Sequence, residues 1–470
     1  MEYKMFKQEP AVINIGVMPF AQGIKDQGNE VIHLSWKPPV DAKLRRMINT
    51  MDPCLKEKIN RSNSEAVEIL NKAEGHWVGL EKAIKAIPGF KENMIMHSGP
   101  PIDWDHMIGV QKRGVCYGAI HAGLAKTVEE ADAMVRAREI ELASCNDHYA
   151  IGAAAGIVTH NMVVNVVEDV IHGNKAYCIP FEGRNGLGAW AMWNPEIERN
   201  LLEIEDFFAP IVDYVLKKNG GINVRNILAK GMLMGDESHT RQAACGNMLV
   251  SEIVPMLLSA EEIPVKDMKR VVEMFVGNER WFHPLGMSCS LASMRSIKGK
   301  PYCTIVTSIA QNGIETGIKV AAMCEQWFLT DAPRFVGTLF STQWTLNDAV
   351  PYMGDSTATE SYGMGAFSAA AAPTVLRLRG GGWREAKAQS EELASICAGT
   401  NNNFSIPLLD FKGPGMGIDI MKVVETGITP ICHGGIVNKS GGQIGAGAAR
   451  FGTAHYVKAA YAFLEKYGVK

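Results

Sequence analysis

The sequence predicts a multidomain protein of the α/β and α+β classes, on three observations. Its 470 residues are more than one simple core can organise. Short β-rich apolar runs alternate with stretches whose apolar residues recur every three or four positions. No low-complexity linker interrupts the chain, so its domains are expected to pack closely. The composition, 47% hydrophobic and 21% charged, fits a globular protein with a sizeable core.

The first element is AVINIGV, residues 11–17, a buried-strand pattern ending at Gly16. A short helix pattern, AQGIKDQGN, and a second strand pattern, EVIHLSW, follow before Lys37-Pro38-Pro39. Strand, helix and strand in so short a span predict a βαβ unit, and with it a Rossmann-like N-terminal domain over residues 1–110. The fingerprint G-x-G-x-x-G is missing, so dinucleotide binding is not inferred. Residues 41–87 read as helical, up to Pro88-Gly89. Residues 111–195 read as the first part of a central α+β domain, and 276–345, with PYCTIVTSIAQNGIETGIKV, as its second part. Between them 196–275 is helical in pattern and predicts a subdomain. Residues 346–470 read as a C-terminal α+β domain rich in glycine and alanine. In it GMGAFSAAAAP, the stretch after Gly442 and residues 454–467 are expected to be helices.

Several function classes drop out early. A net charge of −3 with no lysine–arginine stripe gives no nucleic-acid footprint. No run reaches 18 uninterrupted apolar residues, and the start MEYKMFKQEP lacks a secretory pattern. The ten cysteines are scattered with no C-x-x-C pair, which suits free thiols in a reducing cytoplasm. A cytoplasmic protein without membrane or nucleic-acid partners is expected.

The densest chemistry lies in GMLMGDESHTRQAACGN, residues 231–247, where Asp236, Glu237, His239 and Arg241 crowd beside Gly235. The words recur in YMGDSTATESYGMGAF, with Asp355 and Glu360. One reading is structural: Gly235 stops a helix, Asp236 caps the next, and Glu237 and Arg241 pair one turn apart. The other is a buried ionisable cluster in Ala- and Met-rich surroundings, the setting in which active sites are found. A metal site from Asp236, Glu237 and His239 with Asp355 or Glu360 has no ligand spacing behind it, so no metal or other cofactor is assigned. With Asp236 at a helix start, a phosphate is not expected there.

An anion cradle is instead expected in HGGIVNKSGGQIGAGAARFG, 433–452. There the apolar run Ile428–Ile431 leads into glycines, then Asn438 and Lys439, then Gly441, Gly442 and Gln443 opening a helix. The alternative is a glycine packing turn, and the spacing is not that of a nucleotide phosphate loop. Weaker candidates are Cys145 with His148, the histidines His97 and His106 around a Gly-Pro turn, Asn312 with Glu315, and Asn278, Glu279 and His283.

Taken in order, HSGPPIDWDHM, MGDESHTRQ, VGNERWF, VTSIAQNGIETGIKV, MGDSTATESYGMGAFSAAAAP, LDFKGPGMGIDIMKVVETGITP and GGQIGAG resemble a bacterial family. It is a family of unknown-function domains typified by a subunit of the oxamate carbamoyltransferase of allantoin catabolism, and the resemblance spans nearly the whole chain. It implies a Rossmann-like N-terminal domain followed by family-specific domains. It also implies partnership with an FdrA-type acyl-CoA-synthetase-like protein and other operon-encoded subunits in an oligomer, often with a carbamate kinase. The chain departs from the family pattern at Ser238, Thr240, Gln242, Asn146 and near Gln311, which points to a paralogue with its own substrate.

The resemblance implies a carbamoyltransferase subunit joining carbamoyl phosphate to oxamate or a related amide or ureide in nitrogen catabolism. The alternative is a non-catalytic assembly or regulatory subunit of an FdrA-type complex. Carbamoyl transfer needs oxyanion donors, a base and a phosphate cradle. His239 and Arg241 are the candidate donors, with Asp236, Glu237 or Glu360 orienting the acceptor amide. Lys439, Asn438, Gly441, Gly442 and Gln443 are the candidate phosphate contacts. Further substrate contacts are expected from His97, Asn278, Asn312, Glu315 and Asp355. The two Gly-Asp blocks and the glycine loop should then meet at one cavity.

Overall fold

The computed structural model describes residues 12–15, 18–34, 40–183, 185–278 and 280–469. Gly16, Lys37, Pro38, Pro39 and Glu279, all used in the sequence reading, lie outside the described residues. Helices and strands are interleaved along the chain, and the strands form six small sheets among the described residues.

The N-terminal βαβ unit is present. Val12–Ile15 and Val31–Leu34 pair in parallel, Val12 opposite Val31, with helix Met18–Lys25 between them. No third strand joins this sheet among the described residues. The next strands pair elsewhere: Gly75–Lys82 with Val163–Asp169 and Ile222–Asn223, and Met94–His97 with Glu141–Ser144 and Ile157–Thr159. What the described residues carry is therefore the βαβ unit and not a full Rossmann sheet.

Residues 41–87 are only partly helical. Asp41 accepts the N–H of Leu44 at 2.8 Å to start helix Ala42–Asn49. Asp52 accepts from Cys54, with Pro53 at the first position of helix Pro53–Lys72. Gly75–Lys82, expected as helix, is a strand: Trp77 and Leu80 are buried, and pairing on both edges overrides the helical reading. These N-terminal helices dock on the C-terminal core. Leu44, Ile48 and Ile59 share a cluster with Ile418, Val423 and Phe463, and Asn63 donates to Thr304 at 2.7 Å.

Helix Phe282–Arg295 runs through the middle and is buried almost throughout. It packs on the five-stranded sheet and on the strand Val306–Asn312. Its small residues suit that position, because Ser290 and Ser293 return their hydroxyls to carbonyls four residues back, Gly286 and Cys289.

Two C-terminal expectations are corrected. Gln443–Arg450 is a strand, not a helix, held between Ile431–Val437 and Val336–Leu339. At Gly445 and Gly447 a Cβ would lie 2.6 Å from the Thr338 carbonyl oxygen and 2.3 Å from that of Val336. The glycines thus make an inner strand, and pairing on both sides outweighs the helix preference of the alanines. Gly365–Ala371 forms 3-10 turns rather than an α-helix. Helix Ala454–Lys466 forms as expected.

One backbone crossing ties the layers together. Gly99 sits at φ +86, and a Cβ there would lie 2.4 Å from the amide nitrogen of Asn312. Gly99→Ala is expected to destabilise the protein by about 2 kcal/mol or more, from left-handed strain plus a clash with backbone. A urea midpoint equal to that of the parent would show that the two segments are not held this closely.

Candidate functional site

Helix Val224–Leu233 ends in a turn through Gly235, at φ +97. The chain then buries Asp236, Glu237, Ser238 and His239 in succession, with Ser238 left-handed at φ +66. Asp236 caps the next helix, Ala243–Leu258, from nine residues upstream: its Oδ2 accepts the Cys245 N–H at 2.8 Å. Burial raises its pKa against that bond. The expected Glu237–Arg241 pair is not formed, because the segment is a bend and not a helical turn. Glu237 Oε1 accepts the backbone N–H groups of Thr240 and Arg241 instead. The Arg241 guanidinium turns back to the Gly235 carbonyl at 3.0 Å and to Asp236 at 3.5 Å.

The second Gly-Asp block delivers Glu360 from the short helix Ala358–Ser361. The Nδ1 of His239 meets both carboxylate oxygens of Glu360, at 2.8 and 2.9 Å. Glu360 is further held by the N–H groups of Ala366 and His433 and by the Thr359 hydroxyl. Glu237 faces the Nδ1 of His433 at 3.4 Å. Burial pulls the pKa of His239 down, but the charge and hydrogen bond of Glu360 and the charge of Glu237 outweigh it, and the net shift is upward. Burial pushes Glu237 up, and the histidines His433 and His239 together with the Arg241 amide reverse this to a net lowering. The result is a buried carboxylate–imidazole dyad in which the carboxylate favours the protonated form of the ring.

His239 lines a cavity of about 450 Å³. Its wall is built by Thr240, Arg241, Gln242 and Ala243, by Trp190, by Arg280 and His283, by Tyr352, Met353 and Ser356, and by Gly434, Gly435 and Gln443. No aspartate or glutamate is among the described residues that line it, while two arginines and two histidines are. Arg280 donates to Gln443 Oε1 at 2.7 Å, and its guanidinium centre lies 5.8 Å from the Trp190 ring. The His283 ring meets that of His239 edge-on at 5.8 Å. Burial, then the charges of His239 and Arg280, depress its pKa well below the usual histidine range. Protonation is thus favoured on one ring and opposed on its neighbour. The arrangement can seat an anion and offer it, or a developing oxyanion, a protonated imidazole.

The Gly-Asp blocks and the glycine hairpin therefore contribute to one cavity, though not through every residue expected. His239, Arg241 and Gln443 lie on the wall, with Glu237 and Glu360 beneath it. Asp355 faces the other way and takes the N–H groups of Gly99 and Gly152 at 2.8 and 2.9 Å. His97 is buried against the Ser98 carbonyl. Asn312 closes a turn onto the N–H groups of Ile314 and Glu315. Asn278 bonds the Phe181 carbonyl and the Arg280 N–H, so it positions Arg280 while lining a separate cavity of about 170 Å³.

The expected phosphate cradle does not form. Lys439 is exposed, Asn438 caps Ser440, and the N–H groups of Gly441 and Gly442 bond Asn438 and Trp190 carbonyls. With a strand following, no helix start faces the cavity there. Cys145 is buried, its thiol pushed well above the usual range by burial, and His148 points to the Pro88 carbonyl, so the two make no nucleophilic pair. Sequence reading missed Arg280, Trp190 and His433. VGNERWF and HGG had drawn attention only to their neighbours, since nothing local marks a side chain that meets its partners across the fold.

A family model described as oxamate carbamoyltransferase subunit AllG matches residues 140–356. The oxamate carbamoyltransferase subunit AllG of Escherichia coli K12 is 33% identical over 87% of this chain and 99% of its own length. The chain belongs to the AllG family. Another relative, the uncharacterized protein YahG of E. coli K12, is 32% identical over the full length of both chains. The AllG-family fold is also seen in the crystal structure of a conserved protein of unknown function from Enterococcus faecalis V583. It is 33% identical with a TM-score of 0.84, covering 88% of this chain and 99% of that one. Among the described residues, no helix of this AllG-family chain is long and apolar enough to cross a membrane.

Burial raises Asp355 to about 7, against its two amide hydrogen bonds. Its folded pKa thus exceeds its unfolded one, so the native state holds the proton that the unfolded chain releases. The contribution of Asp355 to stability is full below about pH 4 and fades as pH rises to about 7, by up to about 1.4 kcal/mol per unit. Asp355→Asn is expected to remove that part of the slope in urea unfolding between pH 5 and 7. An unchanged slope would place the ionisation elsewhere.

Proposed function

We propose that this chain is the substrate-bearing subunit of a carbamoyltransferase-type enzyme, passing the carbamoyl group of carbamoyl phosphate to oxamate or a related amide or ureide. The observation that carries the reading is the His239–Glu360 dyad at the edge of a cavity whose described wall holds two arginines and no carboxylate. Such a wall suits a phosphorylated donor and a carboxylate-bearing acceptor. The name of the AllG relative supports the same chemistry.

In the transfer, the acceptor amide nitrogen attacks the carbamoyl carbon. The new C–N bond forms as the bond from that carbon to the phosphate oxygen breaks. Phosphate leaves with the electron pair, and the nitrogen's proton passes to it, so that an N-carbamoyl amide and hydrogen phosphate result. Protonated His239, aligned by Glu360, stabilises the oxyanion on the carbamoyl oxygen. Arg241 and Arg280 hold the anionic groups. This is oxyanion stabilisation of the kind worth about 10²–10³ in rate per donor.

The test is to co-express the chain with its neighbouring gene products and measure phosphate release from carbamoyl phosphate over a panel of amides and ureides. His239→Asn and Glu360→Gln are each expected to lower kcat by about a hundredfold or more. Arg280→Gln should act chiefly by raising KM. Full activity in all three variants would sink the reading.

One observation favours an assembly role in addition. Ile13, Ile15, Ile32 and Leu34 form an aliphatic face on the two-stranded parallel sheet that is 49–64% exposed. Parallel sheets are ordinarily covered on both faces, and two strands alone are marginal in water. We read this βαβ unit as the part that docks an FdrA-type partner. Ile15→Lys with Ile32→Lys is expected to abolish co-purification of that partner while leaving the melting midpoint of the isolated chain within about 2 °C, since buried contacts are untouched. Undiminished co-purification would rule the unit out as the docking site.

A further inference from the structure

Behind the dyad, Arg379, Gln389, His433 and Glu237 form a continuous series of side-chain contacts. Arg379 ends the 3-10 helix Pro373–Arg379, whose Thr374, Val375 and Leu378 wall the cavity. Its guanidinium donates to Gln389 Oε1. Arginine has no acceptor, so this contact fixes the Gln389 amide with its oxygen toward Arg379 and its nitrogen away. Gln389 is buried on helix Trp383–Ala394, where its Nε2 donates to the Ala366 carbonyl at 3.0 Å and meets His433 Nε2 at 3.3 Å.

The last contact decides where His433 carries its hydrogen. An amide nitrogen donates and does not accept, so the ring's Nε2 has to be the acceptor. The ring hydrogen is then on Nδ1, opposite Glu237 Oε2 at 3.4 Å. Both ends of the ring ask for the same tautomer. With the hydrogen on Nε2, N–H would face N–H at one end and a lone pair would face a carboxylate at the other. The second clash would reach the cavity wall. Glu237 Oε1 holds the N–H groups of Thr240 and Arg241, and His239 sits in the loop that those bonds close. A carboxylate pushed away from His433 would turn and loosen that loop.

We propose that Gln389, with its amide aimed by Arg379, is a positioning residue: it holds His433 as the Nδ1–H tautomer and thereby keeps Glu237 bonded to the segment that presents His239 and Arg241 to the cavity. Neither Gln389 nor Arg379 is on the cavity wall, so both act through other groups. The lock also accounts for an amide beside Arg379. A glutamate would suit the guanidinium as well, but it would call the hydrogen of His433 to Nε2. The importance of the lock for catalysis rests on the carbamoyl-transfer reading. The tautomer is a property of the folded chain and is measured apart from activity.

The experiment is nitrogen-15 NMR of the full chain with labelled histidine rings at about pH 8, above the ordinary histidine range. The His433 signals are assigned by their loss in His433→Asn. Wild type is expected to show a protonated Nδ1 and a bare Nε2. Gln389→Glu keeps the size and the Arg379 contact but exchanges a donor for an acceptor, and it should move the hydrogen to Nε2. In the co-expressed complex the same substitution should lower kcat for phosphate release from carbamoyl phosphate by about tenfold or more, with KM changed by less than about threefold. A wild-type ring with its hydrogen on Nε2, or a Gln389→Glu ring unchanged from wild type, would overturn the lock. Should Gln389→Glu not fold, Arg379→Met, which leaves the amide unaimed, decides on the same signals: a mixture of tautomers supports the lock and a pure Nδ1–H ring refutes it. The expected ring signals with full kcat in Gln389→Glu would overturn the link to the cavity. A wild-type complex that shows the Nδ1–H ring and releases no phosphate would remove the transfer reading and keep the lock.

Discussion

The cost of burying charge organises the centre of this molecule. Glu237, His239, Glu360 and His433 are almost wholly withdrawn from water. An isolated charge so placed costs several kcal/mol, and losing one partner of a buried pair strands the other. The four stay buried because they satisfy one another. Glu360 takes the His239 ring, two backbone N–H groups and a threonine hydroxyl, and Glu237 takes two backbone N–H groups and faces His433. Those partners come from three separate stretches of chain, so satisfying the charges also fixes how the stretches cross.

The backbone is shaped to let them cross. Gly365 sits at φ +58, with its N–H on the Glu237 carbonyl at 2.7 Å, and a Cβ there would lie 2.2 Å from Glu360. Ser238 accepts a left-handed conformation so that Glu237 and His239 face different partners on either side of it. Strain of this kind persists where surrounding bonds over-determine it, and it commonly accompanies sites of function. The cavity then lies where the constraint is greatest. On one side is a satisfied buried dyad, and on the other a wall of arginine, tryptophan and glutamine.

Charge distribution separates a binding wall from a merely polar one. The carboxylates near the cavity stand behind the histidines, where they pair with the rings without opposing an anion in front. Asp236 is spent on the start of helix Ala243–Leu258, and Asp355 on two backbone amides in the next layer. The two aspartates of the repeated Gly-Asp words are thus structural in their contacts, while the histidine and glutamate that follow them form the dyad. The structural and the chemical readings of the motif each describe part of it.

The sequence by itself determined the periodic and capped elements: the βαβ unit, the helices of residues 196–275, the strands around Val306–Val320 and the last helix. Each rests on interactions within a few residues. It also singled out Asp236, Glu237, His239, Arg241 and Glu360, because clustered ionisable residues in apolar surroundings are visible in the letters alone. Only the tertiary structure decided that Gln443–Arg450 is an inner strand, since edge pairing is a long-range energy that outweighs alanine's local preference. The same is true of the roles of Arg280, Trp190 and His433. Whether a side chain is paired, orphaned or aimed at a cavity depends on neighbours up to hundreds of residues away in sequence, and no local spacing records them.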